Sequence, residues 1–145
     1  MIPTVTDAIA LVRPSALYGG VPYAYAAVTG ADRVAFTAGA CPLDAEGRTV
    51  AVGDVVGQAE QVMANLVATL AACGAGLPDV VRSTVYVATT ERDDLGAVWE
   101  VVRGAFGDHD APSTLLGVSV LGWPDQLVEV EAVAVVPSSR PTASR

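Results

Sequence analysis

Valine and alanine alternate with glutamate near the end of the chain, in the segment LVEVEAVAVV at residues 127–136. The segment is short and rich in β-branched residues, which predicts a β-strand. Side chains alternate between the two faces of a strand, so Glu129 and Glu131 share one face. The second half of the segment carries no charge, which is typical of a strand in a covered sheet. We therefore predict that both glutamates lie at the floor or rim of a pocket, although a half-exposed strand with its acids in water fits the pattern equally well.

Two stretches have the spacing of amphipathic helices. Asp54 is a suitable N-cap for a helix over residues 55–73, and Asp93 opens a second helix over residues 93–106. A glycine follows each stretch and is expected to end the helix. Each helix has one apolar stripe, made of Ala59, Val62, Met63, Leu66 and Leu70 in the first and Leu95, Val98, Trp99, Val102 and Phe106 in the second.

Further strands are predicted at residues 25–28, 33–38, 80–88 and 114–120, with a short extra strand near 48–52. The first two are separated by the turn sequence TGAD, which favours a hairpin. The order of elements predicts an α+β domain in which both helices lie on one face of a mixed sheet. The other face is then left for partner subunits.

The domain is expected to span residues 1–136, with residues 1–15 ordered only in part. Residues 137–145 are rich in serine, proline and arginine and are expected to form a disordered tail.

The charge balance is strongly acidic. The chain has 145 residues with 8 Lys and Arg against 16 Asp and Glu, a net charge of −8 and a pI near 4.3. This balance argues against nucleic-acid and anionic-membrane partners. Hydrophobic residues make up 52% and charged residues only 17%. So little charge leaves apolar surface to be covered, which predicts a homo-oligomer.

The sequence does not have the patterns typical of a membrane helix, a secretory signal or a metal site. The uncharged stretch at residues 14–31 is interrupted by glycines and proline, so we do not expect a membrane helix. The N-terminus does not have the pattern of a secretory signal, which favours a cytoplasmic protein. Cys41 and Cys73 fit neither a disulfide nor a zinc spacing, and His109 has no neighbouring ligands, so we expect no metal site.

The remaining chemistry consists of tyrosine, glutamate and hydroxyl groups, because the sequence has neither a phosphate-binding glycine loop nor a nucleophile elbow. This set suits the binding of a small molecule and the transfer of protons or water. Cys41 is either a cleft residue or a small core residue. Cys73 and Trp99 are predicted to be structural, whereas Trp123 is predicted to line an interface or a pocket.

Several short motifs recur in one known family in the same order. They are PY at residues 22–23, FTAG at 36–39 followed by a proline, GD at 53–54, NL at 65–66, DVVRSTV at 79–85 and VEVEA at 128–132. Together they make residues 22–136 resemble the Rid family, also called YjgF. The best-known members are enamine and imine deaminases.

The resemblance implies a chorismate-mutase-like α+β fold and a homotrimer in which the sheets form a central barrel and the clefts lie between subunits. It also implies that water adds to an imine carbon and that ammonia leaves, with no cofactor. Tyr23 falls at the family's pocket tyrosine and Glu129 at the glutamate that holds the attacking water. Gly39 and Leu115 fall in segments whose backbone lines the pocket, and we include Ala40, Cys41, Thr114 and Trp123 among the expected substrate-binding residues.

One position departs from the family pattern. Deaminases of the family carry an arginine just before the strand near Thr114, where it binds the substrate carboxylate, and Ser113 stands at that position here. Loss of such a desolvated charge pair costs about 2–5 kcal/mol of binding. Ala40 likewise replaces a glutamine that is frequent in the family. We therefore expect a more neutral pocket and an atypical substrate.

Three functional interpretations remain open from the sequence. The first is a Rid-type deaminase, the second is a biosynthetic enzyme that hydrolyses, dehydrates or cyclises a larger and less charged intermediate, and the third is a trimer that binds a small metabolite without catalysis. In the third interpretation Glu129 is only a polar anchor.

Overall fold

The computed structural model describes residues 9–13, 15–16, 18–20, 24, 26–31 and 33–137. The elements follow in the order β1 (Ala10–Val12), β2 (Ala26–Val28), β3 (Val34–Phe36), α1 (Val55–Ala72), β4 (Val80–Ala88), α2 (Arg92–Phe106), β5 (Ser113–Val118) and β6 (Val128–Val135). A single 3₁₀ turn, Leu77–Asp79, separates α1 from β4. The α+β class with two helices and a mixed sheet is thereby confirmed.

Local sequence signals place the longer helix. The Asp54 side chain accepts a hydrogen bond from the Gly57 backbone N–H, which satisfies one of the donors left open at a helix start. Gly74 follows the C-cap residue Cys73 with φ of +82°, a conformation that glycine adopts without steric cost. The predicted stripe of five apolar residues is buried along the whole helix.

The main sheet has four strands in the order β3–β6–β4–β5. β6 is antiparallel to both β3 and β4, while β4 and β5 are parallel and are connected through α2. β1 and β2 form a separate antiparallel pair. The predicted β2–β3 hairpin is therefore wrong, because β3 pairs with β6 and β2 with β1. The extra strand near residues 48–52 is also not formed; this region contributes only an isolated bridge between Leu43 and Thr49.

Both helices pack on one face of this sheet, which we call the helix-covered face. Its side chains on β4 and β6 are fully or almost fully buried with α1 and α2 in one core, comprising Val85, Val87, Val128, Val130, Ala132 and Ala134. The other face, the open face, carries larger and more polar side chains that are part-buried or exposed, namely Phe36, Arg82, Tyr86, Leu116, Glu129, Glu131 and Val133, with buried Thr84 among them. The prediction of helices on a single face is confirmed.

The described residues contain no helix long and apolar enough to cross a membrane. Residues 138–145 of the predicted tail and most of the N-terminal segment lie outside the described residues.

Candidate functional site

The Glu129 carboxylate lies on the open face and is held at one of its oxygens. The Cys41 Sγ lies 3.2 Å from Glu129 Oε1, and the Gln126 Nε2 lies 3.3 Å from the same oxygen. A thiol and an amide N–H both donate hydrogen bonds, so Oε1 accepts from two sides. The acid is therefore fixed by its neighbours and does not extend freely into solvent.

Gly39 forms the wall next to this carboxylate. A Cβ atom built on Gly39 would lie 2.6 Å from Glu129 Oε2, so only glycine leaves room for the acid in this position. The next residue, Ala40, is bridged to Val130 through both backbone hydrogen bonds, at 2.8 and 3.2 Å. These bonds lock the segment from Gly39 to Cys41 against β6 and place the thiol beside the acid.

The Cys41 thiol stays protonated at neutral pH. Partial burial raises its pKa to about 11, and the hydrogen bond to Glu129 and the negative charge of that carboxylate act in the same direction. The neighbouring side chains of Gln126 and Trp123 act in the opposite direction and lower the pKa. Cys41 is half-buried, so it is a residue of this cluster and not a small core residue. Because the thiolate is the nucleophilic form, Cys41 acts here as a hydrogen-bond donor.

The second acid of β6 has a different partner. Tyr86 donates a hydrogen bond of 2.6 Å to Glu131 Oε1, and this bond is the main reason that the pKa of Tyr86 is raised. Glu131 also lines a cavity of about 200 Å³ on the open face, together with Phe36, Thr37, Arg82, Thr84, Ala132 and Val133. Both glutamates are thus engaged by partners, but in separate surroundings.

The residues predicted around position 113 form a different cavity. Ser113, Thr114 and Leu115 line a space of about 430 Å³ beside the edge strand β5, and Trp99 of α2 forms its fourth side. The four lining residues carry no charge. The Ser113 hydroxyl is hydrogen-bonded to the buried Ser83 hydroxyl, so it is turned toward the helix-covered face.

Glu129 and Ser113 consequently point to opposite faces of the same sheet. Glu129 pairs with Tyr86 on β4, and Tyr86 pairs with Leu116 on β5, which places Glu129 two strands away from the edge. Neighbouring strands lie about 4.8 Å apart. Within one chain, then, the acid and the cavity beside β5 are distinct regions.

Trp123 belongs to the Glu129 region. It lies in the loop between β5 and β6 with about half of its surface exposed, and its side chain is near enough to Cys41 to lower the pKa of the thiol. It also lines a cavity of about 380 Å³ with Val52, Pro124 and the segment from Gly47 to Thr49. A role of Trp123 at an interface or in a pocket stays a prediction.

The remaining residues considered from the sequence are Tyr23, Cys73 and His109. Tyr23 lies outside the described residues. Cys73 is exposed at the C-cap of α1, and His109 is bonded through Nε2 to the Val80 carbonyl at 2.6 Å. In the part of the chain that is described, no group of three His, Cys, Asp or Glu side chains is placed to hold a metal ion.

Sequence reasoning missed two residues. Trp99 packs against the core as predicted, but it also forms a wall of the β5 cavity. Gln126 is not among the residues singled out from the sequence, yet it is buried beside Glu129. The signal for Gln126 was its position three residues before the acid.

A mixed sheet covered by two helices on one face, with a glutamate of the last strand set beside a glycine on the other face, defines a small α+β protein of the YjgF type. The chain belongs to the family described as endoribonuclease L-PSP, whose model matches residues 14–136. This finding confirms the resemblance to the Rid family.

Among relatives, protein DfrA of Myxococcus xanthus is 39% identical over 115 residues, which cover 79% of this chain and 85% of the relative. A RutC family protein of Pyrococcus horikoshii is 34% identical over 113 residues, or 78% and 86% of the two chains. Among solved structures, the Rid family protein YyfB of Yersinia pestis is 32% identical, with a TM-score of 0.82 and coverage of 89% and 99%.

Proposed function

We propose that this protein is a hydrolase that converts reactive enamines or imines to carbonyl compounds and ammonia, with Glu129 as the residue that handles water. The observation that carries the proposal is the fixed Glu129 carboxylate, with two donors on Oε1 and the glycine wall at Oε2. Family membership supports a function of this kind.

The chemistry needs one group that exchanges protons with water. Glu129 accepts a proton as water adds to the imine carbon, and the same proton is returned to nitrogen as ammonia leaves. Because Cys41 and Gln126 occupy Oε1, the exchange takes place at Oε2. Tyr23 is proposed to shape the same pocket, as the family resemblance implies.

The cleft is proposed to form between copies of the chain. The side chains of Glu129 and Ser113 face opposite sides of one sheet and lie on strands two apart, so we propose that a substrate that contacts both residues takes them from two subunits. Large apolar side chains are exposed on the described surface and would be covered by assembly; they include Phe36, Val52, Leu116, Val120 and Trp123. A homotrimer is the assembly that the family resemblance implies.

The substrate is proposed to lack a carboxylate at the position where the family's deaminases bind one. Ser113 and Thr114 offer hydroxyl groups, and Trp99 and Leu115 offer apolar walls. We therefore expect Ser113 and Thr114 to hydrogen-bond a neutral polar group and Gly39, Ala40 and Leu115 to contribute backbone contacts.

The first test replaces the acid. An amino-acid oxidase supplies imines, neutral imines are supplied directly, and imine loss is followed with and without the protein. Glu129→Gln should lower turnover about 10²–10⁴-fold, since general acid–base catalysis contributes this much. Glu131→Gln is the matched control on the same strand and face, and it should retain activity. Equal rates for wild-type protein and buffer across all imines would contradict the proposal.

The second test restores the missing charge. Ser113→Arg should create or raise activity on imines of amino acids by supplying a bidentate carboxylate partner, and Ser113→Lys tests whether charge alone suffices. Unchanged activity in both variants would show that the pocket differs at more than this position.

The size of the β5 cavity favours a second candidate, a biosynthetic enzyme for a larger and less charged intermediate. A volume of about 430 Å³ lies in the range of about 300–1,000 Å³ that is common for ligand pockets. A non-catalytic binding protein would use the same cavity. Glu129→Ala separates these outcomes, because binding of a ligand survives in a binding protein whereas turnover is lost in an enzyme.

The family description names an endoribonuclease, but the charge of this chain disfavours that activity here. A net charge of −8 repels a polyanion, and binding of nucleic acid depends on cationic contacts to phosphate. We accordingly propose a small-molecule substrate.

A further inference from the structure

The loop that connects β5 to β6 is anchored from several directions. The Thr49 hydroxyl donates to the Pro124 carbonyl at 2.8 Å. The buried Gln58 side chain donates to the Asp125 carbonyl at 2.9 Å and accepts from the Leu127 N–H at 2.7 Å. These bonds fix the backbone on both sides of residue 126.

Gln126 sits inside this loop with only 4% of its surface exposed. Its amide oxygen accepts from the Trp123 N–H at 3.1 Å, and its amide nitrogen donates to the Val128 carbonyl at 3.1 Å. A backbone donor and a backbone acceptor thus set which end of the amide is nitrogen. The second N–H of that nitrogen is directed to Glu129 Oε1 at 3.3 Å.

We propose that Gln126 is a positioning residue for Glu129, and that it links the Trp123 loop to the acid. The inference rests on the proposed function for its catalytic consequence. A buried amide with all its partners satisfied holds one geometry, because any rotation would leave a buried polar group unpaired. Gln126 therefore keeps Oε1 occupied and Oε2 beside Gly39.

Trp123 is connected to Gln126, one of the two donors that hold the acid. Its backbone N–H donates to the Gln126 side-chain oxygen. We therefore expect a ligand that displaces Trp123 to disturb the bond from Gln126 to Glu129 Oε1. A substrate that contacts this loop is therefore expected to change the position of the Glu129 carboxylate.

The first measurement needs no substrate and no change at residue 126. The side-chain NH₂ resonances of Gln126 are assigned by their loss in Gln126→Met and compared in wild-type protein and Glu129→Ala. We expect one amide proton to move upfield while the other, bonded to the Val128 carbonyl, stays in place. Two unmoved protons would overturn the inference, whatever the activity of the protein.

The second measurement is a kinetic double-mutant cycle. Gln126→Met should lower kcat about 10–100-fold with KM changed little, because misplacing a catalytic group by about 1 Å has an effect of this size. In the Glu129→Gln background the same change should add almost nothing, since the two residues act as a unit. Equal losses in both backgrounds would overturn the positioning role.

Gln58→Met is the matched control. Gln58 is buried and holds the same loop, but its hydrogen bonds end on backbone atoms and none reaches Glu129. A purely structural role of Gln126 predicts the same kinetic change in both variants. Wild-type protein without hydrolase activity would count against the proposed function, and the Gln126 resonances would then decide the inference by themselves.

Discussion

On the helix-covered face of the sheet, Val85 of β4 lies opposite Val130 of β6, and all of their surface is buried. On the open face of the same two strands, one residue after Val85 and one before Val130, Tyr86 lies opposite Glu129. Successive side chains of a strand point to opposite faces, so neighbouring residues of β4 and β6 serve two different purposes. The helix-covered face holds the fold together by apolar burial, and the open face presents acids that are held by hydrogen bonds.

The largest expected effect tests this division on β6 itself. Val130→Ala removes two buried methyl groups and should lower the free energy of unfolding by about 2–3 kcal/mol. Val133→Ala makes the same chemical change on the open face, where the side chain is only part-buried, and should have less than half of that effect. Urea unfolding at one fixed protein concentration measures both, because assembly shifts apparent stability. Equal losses would show that the open face is packed as tightly as the other.

A smaller effect is expected from the polar contacts of the open face. Tyr86→Phe removes the hydrogen bond to Glu131 and should lower the free energy of unfolding by about 1–2 kcal/mol. Spectrophotometric titration provides a second measurement, since the hydrogen bond to Glu131 raises the pKa of Tyr86 above the ordinary tyrosine value. Glu131→Gln should move that ionisation to lower pH, because the hydrogen bond and the charge of Glu131 raise the pKa. An unmoved titration curve would contradict the contact.

The elements that could be predicted are those with local signals. The first helix was expected over residues 55–73 and observed at Val55–Ala72, because its cap and its apolar stripe lie within the helix. β4 has the predicted bounds, as its valine-rich run ends where turn residues begin. The wrong hairpin shows the limit of such signals: β3 finds its partner about a hundred residues away, where Val34 lies opposite Val135.

Prediction of the candidate site was limited in the same way, because local signals do not show contacts between distant segments. Glu129 and Cys41 were identified from the sequence, but their contact joins residues 88 positions apart and appears only in the fold. Gln126 and Trp99 were missed for a different reason, since a loop amide and a helix-stripe tryptophan have ordinary structural explanations. The open face is therefore harder to predict than the helix-covered face, because its function depends on contacts between distant segments.

Loss of the N-cap at the start of α1, away from both faces, should lower the free energy of unfolding by about 1 kcal/mol. Asp54→Ala removes the bond to the Gly57 N–H and leaves a donor of the first turn without its cap. Thermal unfolding should show a lower Tm than in wild-type protein. Glu60→Ala, on an exposed position of the same helix, should leave Tm nearly unchanged. Similar shifts in both variants would mean that charge, and not capping, is responsible.

The smallest expected effect concerns the rates at which the two cysteines react with a thiol reagent. Cys73 is exposed, whereas Cys41 is part-buried, and its burial together with the neighbouring Glu129 raises its pKa to about 11. At about pH 8 only about one Cys41 side chain in a thousand is then a thiolate, since each pH unit below the pKa lowers the thiolate fraction tenfold. Iodoacetamide should label Cys73 first and Cys41 slowly, and Glu129→Gln should speed the labelling of Cys41. Equal labelling rates in wild-type protein would contradict the contact.

The same shift predicts a weak dependence of stability on pH. A pKa raised from 9.0 in the unfolded chain means that the neutral thiol is favoured by folding. Its contribution is complete below about pH 9 and is lost as the pH rises toward 11. Cys41→Ala should flatten the decline of stability in this window and leave the curve below it parallel to that of wild-type protein. An unchanged decline would show that folding does not raise the pKa of this thiol, and would contradict the part-buried position beside Glu129 in which it serves as one of the two donors to the acid.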